Sequence, residues 1–130
     1  MIEVLDYDGI SKLNTQRFEF INNRSFTDRA TDVFLCRIND ENVLIGILKL
    51  NIKDHIVWFS SIEVLPECRN QGVARSLIKY LFIYCRSNRF HTISFSNFTV
   101  MGLAFVKPIV AEVALKYPYI HVIMDKRNDR

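Results

Sequence analysis

Glycine is scarce in this chain: there are four in 130 residues, Gly9, Gly46, Gly72 and Gly102, all far apart. Neither Gly-x-x-x-x-Gly-Lys-Ser/Thr nor Gly-x-Gly-x-x-Gly can be spelled from them, so nucleotide hydrolysis on a P-loop is not expected. Cysteine is equally sparse, and Cys36, Cys68 and Cys85 match no zinc spacing. Cys36 and Cys85 fall in apolar strand and helix patterns as small core residues, Cys68 reads as an ordinary loop residue, and no metal site is expected. No apolar run approaches the roughly 18–20 residues that span a bilayer, and the first residues are acidic where a secretory signal would be basic. A soluble, cytoplasmic protein without a membrane partner is the expectation. Dense Lys/Arg blocks are missing as well. The short tail from Lys126 to Arg130 is interrupted by Asp129, so direct nucleic-acid binding is not expected.

What the chain does have is apolar content. At 49% hydrophobic it can build one domain with a sizeable core, and its length leaves little room for a second. The formal charge of +3 suits an anionic ligand without demanding a nucleic acid.

The stretch from Ile56 to Ser87 organises the rest. It reads as a buried strand to Val64, a polar turn around Arg69-Asn70-Gln71-Gly72-Val73-Ala74, and an amphipathic helix starting where the turn ends. Pro66 ends the strand because it cannot donate to a ladder. A helix leaves its first N–H groups without partners and carries about half a positive charge there, so an anion on its axis gains hydrogen bonds and dipole attraction together. Gly72 allows backbone to approach a ligand without a Cβ in the way, Ala74 keeps the next position small, and Arg69 adds a planar fork of donors suited to phosphate. The sequence therefore predicts a phosphate site at this turn.

Around it, residues 1–5 read as a first strand, 10–22 as a first helix with Ile10, Leu13, Phe18 and Ile21 at helical spacing, and 22–32 as a loop or short second helix. Residues 33–38 and 43–52 form an antiparallel hairpin, in which Gly46 marks a bulge or a close backbone contact. Past the central helix, residues 91–96 form a strand parallel to the central one because a helical crossover joins them. Residues 97–117 are helical in composition, with Pro108 expected to kink the helix or start another, and a last strand follows at 119–124.

The run Val64-Leu65-Pro66-Glu67-Cys68-Arg69-Asn70-Gln71-Gly72-Val73-Ala74 resembles motif A of the GNAT superfamily of acyl-CoA-dependent N-acetyltransferases. Arg69, Gly72 and Ala74 fill the places of its Arg/Gln-x-x-Gly-x-Gly/Ala signature. The resemblance covers about residues 33–97 and implies an α/β fold in one domain, a mixed and mostly antiparallel sheet with a splayed parallel central pair, flanked by helices. It implies acetyl-CoA as cosubstrate, bound by Val64, Arg69, Asn70, Gln71, Gly72, Val73, Ala74 and, as the leading Asn of a later motif, Asn97. Backbone N–H groups at Val64 and the following residue are then oxyanion donors.

Glu63 interrupts an apolar strand end beside the turn and lies on the opposite face from Ile62 and Val64, so it is the candidate base, against the reading of a rim carboxylate paired with Lys or Arg. The Asn-x-x-Ala-x-x-x-Tyr pattern that supplies a tyrosine acid in the family is broken here, with Ala104 and Phe105 where the hydroxyl would stand. Tyr84 is the candidate substitute acid, and Tyr117 a further one. His55 and His91 begin strands at the end away from the turn and are not catalytic candidates. Two functions follow: an N-acetyltransferase acting on a primary amine, small or on a protein, or a catalytically degenerate domain that holds acetyl-CoA or CoA and serves as an interaction or regulatory module. A domain that keeps the fold without the cofactor is a third reading. A homodimer is compatible with all of them.

Overall fold

The computed structural model describes residues 1–19, 31–95 and 100–124. Its strands are β1 (Ile2–Leu5), β2 (Asp32–Ile38), β3 (Leu44–Lys53), β4 (Ile56–Val64), β5 (Thr92–Phe95) and β6 (His121–Met124), in one sheet whose spatial order follows the chain. β1 to β4 pair antiparallel, while β4–β5 and β5–β6 are parallel. The helices bounded within the described residues are α1 (Tyr7–Ile10), α2 (Val73–Ser87) and α3 (Val100–Ala114), with a 3-10 turn at Pro66–Cys68 between β4 and α2. This is the mixed sheet flanked by helices that the sequence predicts. Among the described residues no helix is long and apolar enough to cross a membrane.

α2 forms where the apolar residues recur with helical spacing, and Val73, Ala74, Leu77, Ile78, Leu81, Phe82 and Cys85 are buried along one face. That face lies on β2, β3 and β4. Gly46 is what lets it lie so close. A Cβ there would stand 2.7 Å from Val73 Cγ1 and 3.2 Å from Leu77 Cδ1, so the glycine is required by the start of the helix packed above it. The expected irregularity is one residue away, where Arg37 pairs with Gly46 but Ile38 with Leu44, leaving Ile45 as the extra residue. α3 packs beside α2 through Val106, Val110 and Val113, and the ring of Tyr117 meets Phe82 at 5.6 Å.

A second bulge shapes β4. Lys49 pairs with Ser61 and Leu50 with Phe59, so Ser60 is extra and the alternation of β4 changes phase there. Val57 and Phe59 before it, and Ile62 and Val64 after it, consequently share the face under α2, and Ser61 and Glu63 take the opposite one. Cys36 and Cys85 are buried as expected, and burial pushes each thiol up to about 12.

Three expectations change. The helix expected over 10–22 is instead one turn, Tyr7–Ile10, followed by turns to Phe18; residues 20–22 lie outside those described. Asp6 starts it early by accepting from the Gly9 amide at 2.8 Å, and the Asn14 side chain accepts from Gln16 N at 3.2 Å, a local bond that competes with helix continuation. The apolar spacing still serves the core, since Ile10 and Phe18 are buried. Pro108 starts no second helix, because α3 runs through it from Val100 to Ala114. The last strand begins at His121, after turns at Tyr117 and Ile120.

Candidate functional site

Among the described residues, pairing between β4 and β5 covers Val57, Trp58 and Phe59 against Ile93, Ser94 and Phe95. Beyond Phe59, residues Ser60 to Val64 have no β5 partner among the described residues, and that edge opens into a cavity of about 760 Å³. Its walls are Phe59 to Val64 of β4, then Cys68, Arg69, Asn70, Gly72, Val73, Ala74 and Arg75 from the turn and the first residues of α2, and Phe105, Val106 and Ile109 from α3. The volume falls in the range of pockets that hold cofactors, roughly 300–1,000 Å³.

The turn is built from left-handed backbone. Asn70 has φ +63° and Gly72 φ +83°, conformations that Asn and Gly adopt at low cost. This reverses the chain within a few residues and brings the start of α2 to the cavity. The first intrahelical bond runs from Ser76 N to Gly72 O at 2.9 Å, so the amides of Val73, Ala74 and Arg75 lack helical acceptors. No acidic residue stands in that first turn to cap them. A Cβ on Gly72 would meet nothing within 4 Å, so it would project into open space.

Arg69 is fixed by its own strand. Its Nε donates to Val64 O at 3.0 Å, which sets the guanidinium at the end of β4 beside the cavity. The same bond tells which way the backbone faces. Leu65 N donates to Ile45 O at 3.0 Å, toward β3, so by strand alternation Val64 N faces the open side. Of the two oxyanion donors expected, the Leu65 amide is thus engaged within the sheet and only Val64 is directed at the cavity.

Glu63 lines the cavity on the face opposite α2, and its Oε2 accepts from the Glu19 amide at 3.0 Å. Two residues earlier along that segment, Arg17 forms a two-pronged ion pair with Glu67 at 2.5 and 2.8 Å. The pair holds the Glu67 carboxyl down to about 2. Residues 17–19 are therefore tied to both ends of the bend between β4 and the turn.

The expected site residues are not all together. Glu63, Val64, Arg69, Asn70, Gly72, Val73 and Ala74 share the cavity wall. Gln71 does not; its Nε2 donates to Glu67 O at 3.2 Å and braces the turn. Tyr84 sits in the last turn of α2, about 16 Å along the axis from Val73, stacked on Phe90 at a centroid distance of 6.5 Å. Burial raises its phenol above the ordinary value. Asn97 lies outside the described residues. Tyr117 packs on Phe82 and carries the Arg86 guanidinium 5.5 Å above its ring.

Other wall residues were given no site role in the sequence. Phe105, 56% exposed, and Ile109 form an apolar wall on α3. Arg75 reaches across to α3 and pairs with Glu112, whose carboxyl it holds below the usual range. A sequence signal did exist for Arg75: a cation in the first turn of a helix opposes the dipole, so it needs a counter-charge from elsewhere.

A sheet that opens beside a helix start, with bare amides and an arginine at the opening, is suited to an anionic ligand. The chain belongs to the acetyltransferase (GNAT) family, whose sequence model matches residues 6–104. Among solved structures, a ribosomal-protein-alanine N-acetyltransferase from Brucella melitensis biovar Abortus 2308 has a TM-score of 0.67 at 14% identity, over 84% of this chain and 90% of that one. The aminoglycoside 6'-N-acetyltransferase AAC(6')-IG from Acinetobacter haemolyticus has a TM-score of 0.62 at 16% identity, over 84% and 88%. AAC(6')-Iy, in complex with the bisubstrate analogue CoA-S-monomethyl-acetylneamine, has 0.60 at 15%, again over 84% and 88%. At these identities the likeness is one of fold. No curated protein matches the chain significantly.

Proposed function

We propose that this protein is an acetyl-CoA-dependent N-acetyltransferase, transferring an acetyl group to a primary amine of a small molecule or a protein by direct attack in a ternary complex. The observation that carries the reading is one cavity containing the uncapped amides of Val73 to Arg75, the Arg69 fork and the open edge of β4. The diphosphate of CoA would take the amides and Arg69, and the amide-containing pantetheine arm would pair along Ser60 to Val64 as an added strand. Structural neighbours crystallised with CoA or a CoA-linked bisubstrate analogue support the choice of donor. The neighbours' names, which specify aminoglycoside and ribosomal-protein alanine acceptors, support an amine acceptor.

In the proposed reaction the amine nitrogen attacks the thioester carbonyl carbon, its oxygen gathers negative charge opposite Val64 N, and the C–S bond then breaks. Glu63, directly or through a water, accepts the proton that the amine loses, and the departing CoA thiolate takes a proton from solvent. Most of the rate would come from holding the two reactants together, which alone can supply about 7–11 kcal/mol. Tyr84, stacked 6.5 Å from Phe90 at the far end of α2, is not given the acid's role.

One observation favours a second reading, that of a CoA-holding interaction or regulatory module: the Glu63 carboxylate already serves the Glu19 amide at 3.0 Å. Titration calorimetry with acetyl-CoA, followed by assay of free thiol against a panel of amines and peptides, separates the two. Binding with thiol release is the expected result. Glu63→Gln should leave acetyl-CoA affinity within about twofold and lower turnover about 10²–10⁴-fold, the usual size of a lost general base. Binding without thiol release from any acceptor would favour the module, and no binding at millimolar acetyl-CoA would end both readings.

A further inference from the structure

Arg37, on β2, lies beneath the start of α2. It pairs with Gly46 across β2 and β3, and Gly46 is the residue against which Val73 packs. From there Arg37 Nη1 donates to Ser76 Oγ at 2.6 Å, and Ser76 Oγ donates in turn to Val73 O at 2.7 Å. Stability does not explain this arrangement. Arg37 Nε is buried without a hydrogen-bond partner among the described residues, which costs free energy. A cation near a helix N-terminus opposes the dipole, and a serine bonded back to the preceding turn adds little to its own helix.

The two bonds end on a peptide unit that has a second side. Val73 O and the Ala74 N–H belong to the same peptide, with the carbonyl directed along the helix and the amide toward its open end. Ala74 lines the cavity, and its amide precedes the first intrahelical bond, from Ser76 N to Gly72 O. A carbonyl that accepts from a charged relay polarises its own peptide, and hydrogen bonds in series strengthen one another by roughly 10–30% each. The charge of Arg37 therefore acts on the Ala74 amide from behind. Among the described residues Arg37 is not itself part of the cavity wall.

Resting on the reading of this cavity as a CoA site, we propose that Arg37 and Ser76 are positioning residues for cosubstrate binding: the relay from Arg37 through Ser76 to Val73 O holds the first turn of α2 and makes the Ala74 N–H a stronger donor to the diphosphate. Neither side chain has to touch the ligand for this.

Proton–nitrogen NMR of the full chain, together with calorimetric titration of acetyl-CoA, tests the relay. Ser76→Ala cuts it in the middle, so the Ala74 amide resonance should move upfield and acetyl-CoA affinity should fall about two- to fivefold. Arg37→Met should move the same resonance in the same direction, and the Arg37→Met/Ser76→Ala double variant should go no further than Ser76→Ala. Ser76→Thr keeps a hydroxyl and should restore both readouts. A native Ala74 resonance or native affinity in Ser76→Ala, additive effects in the double variant, or losses in Ser76→Thr as large as those in Ser76→Ala would overturn the proposal. Failure of the native protein to bind acetyl-CoA would instead remove the CoA reading on which it rests; the Ala74 resonance, read without ligand, tells that failure from a failure of the relay.

Discussion

Gly72 combines two demands in one position. Its φ of +83° is a conformation that side chains with a Cβ adopt at a cost, and a Cβ would project into open space at the rim of the cavity that Gly72 lines. The two demands can be separated by substitution. Gly72→Asn, a residue that tolerates left-handed backbone, should keep the melting temperature close to native yet weaken acetyl-CoA binding about tenfold or more by filling the cradle. Gly72→Val should do both, destabilising by about 1–2 kcal/mol as well. Thermal unfolding and calorimetry on the two variants check this, and native affinity in Gly72→Asn would show that the ligand does not approach that backbone. The need for a bare residue here is legible from the motif. The positive φ is not, because it is imposed by a chain reversal that must deliver α2 onto β3 and β4.

At the scale of elements, the decisive contact is the start of α2 against the sheet. Gly46 stands under Val73 with room for hydrogen alone, since an added Cβ would lie 2.7 Å from Val73 Cγ1. Gly46→Ala should therefore lift the helix start, costing about 1–3 kcal/mol as overpacking does. Because the same first turn of α2 supplies the proposed diphosphate amides, acetyl-CoA affinity should fall with stability, as a joint measurement of melting temperature and dissociation constant would show. An unchanged affinity would mean that the amides do not hold the diphosphate. The apolar periodicity of residues 73–87 makes α2 legible in advance. The single turn at Tyr7–Ile10 was not, because Asp6 and Asn14 offer the backbone local bonds that compete with a longer helix. Of the two alternatives at Pro108, a kinked helix or a new one, α3 excludes only the second; burial of Val106, Val110 and Val113 on either side is the tertiary packing that offsets the missing hydrogen bond.

At the scale of the molecule, the segment at residues 17–19 is joined to the bend after β4 across a long sequence separation. Arg17 holds Glu67, and the hydrogen bond to Arg17 is the main reason the Glu67 carboxyl falls to about 2 from 4.5. A folded-state value below the unfolded one contributes stability that is present above about pH 4.5 and is lost as the pH falls toward 2. Arg17→Gln should thus melt slightly below the native protein at pH 7, and the gap should narrow between pH 4.5 and 3; a gap that widens on acidification would contradict the assignment. Residue types and their local spacing were enough to determine the strands, the central helix and the turn between β4 and α2, because turn chemistry, helix periodicity and strand alternation act over a few residues. Only the tertiary structure decided which groups meet in the cavity. Arg75 and Phe105 became wall residues, Tyr84 was carried to the far end of α2, and Ser60 shifted the phase of β4, because each depends on how separate elements pack rather than on neighbours in the chain.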